Sequence, residues 1–425
     1  MALSETQVVA NELERVVPKV PTLFEREDTF FASIEKKNVE VVSNRDCRIP
    51  LELRPGGSFG HFDPAGGDLG RGEGPEFDKA LVSVQHLKYG VEWQKKAEWA
   101  TDNSRKAVIQ TTRHLLAKAM AEFRRHVDSL CMTSGNGVLA TVSAVSNDAT
   151  NDTVTCKASG DGFGVRLLRY KQPIAILDST LATNRTTGTD KTINYYSLPT
   201  NVIKYAAGSQ VAQVGDKIVV GGLGNVTGAS VVSLYGVPYH HNSSTSGSWL
   251  GFTRSSTPEV VANSVTASGA LSLPYARLAM NRAGDRVGMD QLGKLVAWMH
   301  PCQKQAYEEI AQAASIIQKT AKNEGVDLYF GDNMQIAGVP IKTHYSWDKT
   351  RIDFVNSDFW GRCEMHPASF YEVEGRRMFE VRDATSGGVK TSQMFYITAS
   401  IQIFHMNPAA AAYVSGLSIP TGYVV

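Results

Sequence analysis

A long amphipathic segment between Asp102 and Gly135 constrains the fold of this chain more than any other stretch of the sequence. Asp102 or Asn103 can cap its first turn, and Gly135 can end it in the left-handed conformation that helix ends favour. About thirty helical residues form a rod of about 45 Å, well above the usual helix length. We therefore predict a spine helix over residues 103–134. Its apolar face comprises Val108, Ile109, Thr112, Leu115, Leu116, Ala119, Met120, Phe123, Val127, Leu130 and Cys131.

The opposite face of this predicted helix is basic. Solvated faces with ion pairs such as Lys118 with Glu122 are common on amphipathic helices, which is the ordinary interpretation. The alternative is a weak, sequence-independent contact with DNA through Arg113, Arg124 and Arg125. The formal net charge of +1 argues against a protein whose main task is to grip nucleic acid. The polar face contains Arg105, Lys106, Arg113, Lys118, Arg124 and Arg125, with Glu122 and Asp128 as its acidic members.

A glycine-rich stretch over residues 51–77 includes GGSFG, which has the G-x-S-x-G form of a serine-hydrolase nucleophile elbow at Ser58. An elbow needs a helix directly after the serine, but a proline and a series of spaced glycines follow instead, and both are costly inside a helix. The stretch also lacks the GK[ST] and G-x-G-x-x-G patterns of phosphate-binding loops. We predict a flexible tip, flanked by strands over 39–53 and 79–93 that form a long hairpin.

The remaining sequence holds no recognisable catalytic or metal-binding pattern. Five scattered cysteines have no C-x-x-C pairing, and we interpret them as reduced thiols. His240 and His241 have no carboxylate or cysteine at ligand spacing, so we interpret them as a pair in a turn. Cys302 follows His300 at a predicted helix start, where a packed strand-to-helix junction explains it as well as a reactive thiol does. We expect no enzyme activity, no cofactor, no metal and, without a signal or long apolar segment, no membrane partner.

The order of predicted elements gives an α+β protein. A capping box at Thr22 and Glu25 begins a short helix after a polar arm. Short β-prone runs separated by polar clusters over 136–269 indicate a β-rich module. Helices then begin near Pro274 and Pro301, and strands dominate the last third. The most regular of these strands has Phe395, Ile397, Ala399, Ile401 and Ile403 on one face.

This order of an N-terminal arm, a long hairpin, a spine helix and an α+β core resembles the major capsid proteins of tailed bacteriophages, which have the Hong Kong 97-type fold. LKYGVEWQKKAEWATDN is similar to the hairpin return that leads into the spine in that family. YGVPYHHNSSTSGSWLGFTRSSTPEVVANSV and LVAWMHPCQKQAYEEIAQ are similar to stretches in a capsid group with an inserted β-rich domain. The resemblance is strongest over 82–138 and 235–355. It implies an N-terminal arm over 1–38, an extended loop (E-loop) over 39–100, a peripheral domain over 101–160 with the spine, a β-rich part including the inserted domain over 161–271, an axial domain over 272–345, and return strands over 346–425.

The resemblance also implies a structural protein that assembles as pentamers and hexamers into the icosahedral head around a double-stranded DNA genome. Such a protein is assembled in the bacterial host cytoplasm and becomes part of the virion. Its implied partners are other copies of the chain, DNA bound without sequence specificity, a separate scaffolding protein, and as further candidates a portal, a maturation protease or decoration proteins. Because ordering an unsupported glycine tip costs entropy, the hairpin is expected to lie on a neighbouring subunit. The predicted inter-subunit contact residues are Arg54, Phe59, Phe62, Asp63, Arg71, Glu73, Glu76 and Phe77.

Two departures from the family pattern and two alternative functions accompany this interpretation. The founding member joins its subunits through a loop lysine, whereas this tip has no lysine before Lys79, so no covalent cross-link is expected. About forty residues precede the hairpin, so a separate scaffolding protein is expected in place of a long cleavable segment. An encapsulin-like nanocompartment would share the fold but hold cargo enzyme. The second alternative is a serine hydrolase that uses Ser58.

Overall fold

The computed structural model describes residues 29–34, 40–41, 46–61, 71–95, 111–147, 150–160, 162–186, 189–206, 211–223, 232–288, 290, 294–319, 334–383, 387–420 and 422–423, without the side chains at 111–114, 116–117 and 311–319. These residues belong to two compact units. The first draws on segments 1–32, 84–128 and 364–402, and the second on segments 33–83, 129–363 and 403–425.

The described residues form five helices and a larger number of strands, which confirms the predicted α+β class. The helices are α1 (Thr29–Ser33), α2 (Thr111–Cys131), α3 (Val237–His240), α4 (Leu273–Val287) and α5 (Pro301–Lys319). The strands are β1 (Glu40–Val41), β2 (Asp46–Arg54), β3 (Glu76–Ser83), β4 (Gln85–Gln94), β5 (Val138–Asn147), β6 (Asn151–Cys156), β7 (Pro173–Leu177), β8 (Lys191–Ser197), β9 (Val202–Ala206), β10 (Lys217–Val220), β11 (Ser248–Trp249), β12 (Phe252–Thr253), β13 (Asn263–Gly269), β14 (Leu295–Met299), β15 (Gln335–Ile336), β16 (Val339–Thr343), β17 (Ile352–Asn356), β18 (Trp360–Phe370), β19 (Phe379–Arg382), β20 (Val389–His405) and β21 (Ala412–Leu417). None of the described helices is both long enough and apolar enough to cross a membrane.

A six-stranded mixed sheet forms one core of the second unit. Its strand order is β13-β21-β17-β14-β16-β15, with β13 parallel to β21 and β14 parallel to β16. Helix α4 packs on this sheet through Ala276, Ala279 and Ala283, whose small side chains let the helix approach closely. The sheet side of this core includes Val265, Leu295, Ile341, Phe354 and Val414.

Strands β5 to β10 of the second unit close into a six-stranded barrel in the order β10-β5-β6-β9-β8-β7, with β7 pairing back to β10. The burial of β6 alternates, so that Asp152, Val154 and Cys156 are buried while their neighbours are half-buried. Closure removes the exposed sheet edges that would otherwise pair with other chains. The predicted β-rich region thus contains strands, but local patterns do not indicate that they close into a barrel.

The central strand of the first unit is β20, which pairs with β4 over ten residues, from Ser392 opposite Gln94 to Ile401 opposite Gln85. Trp93 of β4 is fully buried, and its ring centroid lies 5.7 Å from that of Phe395. The predicted apolar face of β20 is confirmed, because its members Phe395, Ile397, Ala399, Ile401 and Ile403 are all buried.

Candidate subunit interface

Strands β2 and β3 form the long hairpin that the sequence predicts. Their antiparallel register runs from Asp46 opposite Ser83 to Arg54 opposite Glu76. Alternate side chains are buried near the base, and the strands become exposed toward the tip. The predicted return strand over 79–93 is divided after Ser83, because β4 pairs with β20 instead of continuing the hairpin. Within the described part of the hairpin, fully buried side chains therefore occur only near its base.

A hydrogen bond and a disulfide fix the base of the hairpin to the rest of the second unit. Leu81 donates its backbone N–H to the carbonyl oxygen of Leu250 at 2.9 Å. Cys47 in β2 forms a disulfide with Cys363 in β18, 316 residues away in the sequence. The interpretation of every cysteine as a reduced thiol is wrong for this pair, because strand packing brings together residues that no sequence spacing connects. Cys131, Cys156 and Cys302 are buried and do not take part in this disulfide.

The tip of the hairpin requires glycine for a steric reason. The N–H of Gly57 donates to the carbonyl oxygen of Glu73 at 2.7 Å, which joins the two sides of the tip. A Cβ atom on Gly56 would lie 2.3 Å from the carbonyl carbon of Gly74, too close for any side chain. Gly57 has a φ angle of +103°, which also favours glycine. These glycines permit a narrow ribbon end without a core of its own.

The predicted contact residues lie mostly in solvent. Phe62 and Asp63 are outside the described residues. Arg54 pairs across the hairpin with Glu76 at 3.7 Å and with Glu259 at 3.5 Å, and all three side chains are more than one-third exposed, so these pairs add little stability. The side chain of Phe59 is fully exposed, at 102% of its reference area. The other exposed members of the predicted set are Arg71, Glu73 and Phe77.

Ser58 does not occupy a nucleophile elbow. It lies in the exposed tip, where residues 55–61 have no regular secondary structure. An elbow requires a helix directly after the serine, whose N-terminus faces the forming oxyanion. The structure therefore supplies neither the strained turn nor the buried surroundings that activate a serine hydroxyl.

The spine helix is confirmed over Thr111–Cys131, while the predicted first turns over 103–110 lie outside the described residues. The predicted DNA-facing arginines are not equivalent. Arg124 is exposed, whereas Arg125 is half-buried and forms an ion pair with Glu122. The side chain of Arg113 is not described. Contact with DNA by these residues therefore stays a prediction.

Asp128 does not belong to the solvated face of the spine, and the expectation that it does is wrong. Its side chain is only 1% exposed. Its Oδ1 accepts a hydrogen bond of 2.8 Å from the backbone N–H of Phe31 in α1. A buried carboxylate loses its hydrogen bonds to water, and this bond compensates for one of them. It also connects α1 to the spine.

Adjacent histidines at the end of α3 are both buried and belong to one cluster. His240 accepts a hydrogen bond of 3.0 Å at Nδ1 from the indole N–H of Trp249. Burial, with a smaller effect of His241, lowers the pKa of His240 to about 3, so the ring is neutral. His241 lies 3.0 Å from Asp353, to which Arg351 donates from Nε at 2.9 Å and from Nη2 at 2.7 Å. Burial raises the pKa of Asp353, but Arg351 and His241 outweigh this effect and lower it.

This cluster has the character of a core rather than a metal centre. Trp360 and His405 complete it, with ring centroids 5.1 Å apart. Among the described residues, no group of three His, Cys, Asp or Glu side chains could hold a metal ion. The sequence signal that could have revealed the cluster is the run of aromatic residues and histidines in YGVPYHH.

The junction around His300 and Cys302 holds no reactive thiol. His300 Nε2 lies 2.9 Å from the guanidinium of Arg166, and its Nδ1 accepts from the backbone N–H of Cys302 at 3.1 Å. Burial lowers the pKa of His300 to about 3, with Arg166 and Lys349 acting in the same direction. Burial raises the pKa of the Cys302 thiol to about 11, so it stays protonated near neutral pH. A neutral histidine and a buried thiol fit a packed strand-to-helix junction.

A solved capsid structure has a fold similar to that of this chain. No protein-family profile and no curated protein matches the sequence. The capsid asymmetric unit of cyanophage A-1(L) is similar over 95% of this chain and 96% of that chain, with 11% identity and a TM-score of 0.53. The mature capsid of bacteriophage PhiM1 is similar over 96% of this chain and 93% of that chain, with 9% identity and a TM-score of 0.47. The holo-SrpI encapsulin complex from Synechococcus elongatus is similar over 98% of this chain and 97% of that chain, with 9% identity and a TM-score of 0.44. The likeness to the cyanophage capsid shows that this chain has the Hong Kong 97-type fold, as its sequence predicts.

Proposed function

We propose that this protein is the major capsid protein of a tailed bacteriophage, which assembles as pentamers and hexamers into an icosahedral head around double-stranded DNA. The observation that carries the proposal is a hairpin fixed at its base, with the aromatic side chain of Phe59 fully exposed at its tip, on a Hong Kong 97-type fold. Large apolar side chains held in solvent at the end of a ribbon favour a surface that another protein covers. In a closed shell every subunit has a neighbour, whose surface can cover the tip of the hairpin.

This function assigns a role to each main segment of the chain. We propose that residues 39–100 act as the extended loop, that 103–134 act as the spine of a peripheral domain, and that much of 272–345 forms the axial domain. The predicted contact residues of the tip would then pair with the neighbour, with Phe59 and Phe77 as the apolar anchors. The single hydrogen bond inside the described tip leaves it free to meet neighbours at different angles in pentamers and hexamers.

Other partners follow from the same assembly. A separate scaffolding protein would guide closure in the host cytoplasm, and a portal, a maturation protease or decoration proteins would act on the completed head. DNA in the virion would be contacted weakly and without sequence specificity, since the exposed basic residue of the described spine is Arg124 while Arg125 is paired.

Electron microscopy of the purified protein, expressed alone and with candidate scaffolding proteins, tests the proposal. Closed shells or capsomer rings are the expected result, with DNA or scaffold inside. Shells that co-purify with an enzyme cargo would identify an encapsulin-like nanocompartment instead. A stable, dispersed monomer under every condition would contradict the capsid function altogether.

A further inference from the structure

One side of the six-stranded barrel presents tyrosine and lysine side chains together. Tyr195 in β8 lies opposite Lys204 in β9, and the Lys204 ammonium is 5.7 Å from the centroid of the Tyr195 ring. Lys171, just before β7, lies 4.9 Å from the ring centroid of Tyr170 and donates to Asn194 Oδ1 at 3.3 Å. We call the group Tyr170, Lys171, Asn194, Tyr195 and Lys204 the barrel face.

The barrel face lies in a segment with more basic than acidic residues. Residues 162–206 contain six arginine or lysine residues and two aspartates, and one of the six, Arg185, forms an ion pair of 2.8 Å with Asp216. Both aspartates accept hydrogen bonds from backbone N–H groups. Asp178 accepts from Ala182 at 2.7 Å, and Asp190 accepts from Gly222 at 2.8 Å. Lys171 and Lys204 direct their ammonium groups to aromatic rings and an amide oxygen instead. The face therefore offers positive charge that complements an anionic partner.

The exposure of the tyrosines indicates that this charge is part of a contact surface. Tyr170 is 55% exposed and Tyr195 is 50% exposed. Tyrosine supplies a large contact area at a low cost in conformational entropy and is enriched in protein interfaces. An ammonium group beside an aromatic ring is already partly shielded from water, which strengthens its attraction for an arriving carboxylate.

We propose that the barrel face binds an acidic segment of another protein. Lys171 and Lys204 flank β8 and are separated by about two strand spacings, roughly 10 Å, which an extended acidic chain spans in three residues. Two lysines neutralise only two phosphates, too few for substantial affinity to a nucleic acid. The ammonium groups also lie against the tyrosine rings on which bases would have to stack. A protein partner that carries spaced carboxylates fits both features.

Fluorescence anisotropy of a labelled glutamate-rich peptide, titrated with the dissociated full-length chain at low salt, tests this inference. We expect binding to the wild type and about tenfold weaker binding to the double variant Lys171→Glu, Lys204→Glu. The matched control is Lys294→Glu, Lys390→Glu, which makes the same change in net charge at two exposed lysines outside the barrel. The control should bind within about twofold of the wild type.

A second variant separates a built surface from bulk charge. Tyr170→Ser with Tyr195→Ser keeps every charge and removes the rings, and about threefold or greater loss of peptide binding is expected. Equal weakening by the barrel and control charge variants would overturn the proposal, as would unchanged binding in the tyrosine variant or no binding by the wild type. Tighter binding of a single-stranded oligothymidylate than of the peptide would overturn it in favour of a nucleic-acid surface. Unaltered circular dichroism of each variant shows that the barrel has folded.

Discussion

Phe59 is fully exposed at the tip of the hairpin, whereas Cys47 and Val82 at its base are buried. The difference has a physical cause, because burying an apolar side chain stabilises only the state in which something covers it. At the base the second unit of the same chain covers the strands. At the tip no described residue does so, and the proposed subunit interface would supply the covering contact.

Phe59→Ser should therefore separate folding from assembly. We expect the free energy of unfolding of the dissociated subunit to change by less than about 0.5 kcal/mol, because the side chain is already in water. The protein concentration needed for shell formation should rise about tenfold, because an interface anchor is lost. Val214→Ser, which removes an exposed apolar side chain from the barrel region, is the control and should leave assembly unchanged. Equal assembly by both variants would exclude Phe59 as an anchor.

The buried histidines predict a loss of stability in acid. Burial holds the pKa of His240 and of His300 at about 3, whereas an unfolded histidine titrates near about 6.5. As pH falls below about 6.5 the unfolded chain binds protons first, so each histidine lowers the free energy of unfolding by up to about 1.4 kcal/mol per pH unit toward pH 3.

Urea unfolding of the dissociated subunit between neutral and acidic pH measures this slope. His240→Gln keeps a side-chain acceptor for the Trp249 indole and should flatten the slope by about one proton. His61→Gln, at an exposed histidine in the tip, is the matched control and should not change it. Parallel slopes for the wild type and His240→Gln would contradict the assignment of a neutral, buried ring.

Whole elements were predictable where one local period dominates the sequence. The 3.6-residue period of α2 and the alternation of β20 each identify a buried face. The structure confirms the face of β20, and on α2 it confirms the burial of Ala119, Phe123, Val127, Leu130 and Cys131. Barrel closure was not predictable, since it depends on pairing between β7 and β10, which are about forty residues apart. The division between β3 and β4 was missed because both strands carry the same extended pattern and only their partners differ.

The Cys47–Cys363 disulfide, which fixes the base of the hairpin, should affect both gel mobility and stability. It closes a loop of 316 residues, so the unreduced, denatured chain should migrate faster on a gel than the reduced chain. Reduction should lower the free energy of unfolding by about 2–4 kcal/mol, because the unfolded chain gains conformational entropy. Cys47→Ser should abolish the mobility difference, and Cys131→Ser, at a cysteine outside this disulfide, should preserve it. A wild-type chain with one mobility in both conditions would show that the two thiols stay reduced.

At the scale of the whole molecule, 11% identity suffices for the same fold as the cyanophage capsid. Folds of this kind depend on the placement of apolar faces and strand pairings more than on residue identity, which is why the arrangement of elements was informative when no family profile matched. The contacts between subunits could not be predicted residue by residue, because they depend on a surface that one chain does not contain.

Particles of this protein should be held together without covalent bonds between subunits. The glycine-rich stretch has no lysine before Lys79 that could form an isopeptide bond. Boiling assembled particles in denaturant and reductant should therefore give one monomer band on a gel. A ladder of multimers would show that another residue forms the cross-link.

A cryo-electron microscopy reconstruction of the assembled particle tests the proposed subunit interface. We expect a closed icosahedral shell of pentamers and hexamers in which the hairpin tip around Phe59 lies on an adjacent subunit. A hairpin tip that folds back onto its own chain, or a protein that stays monomeric with every candidate scaffold, would contradict it.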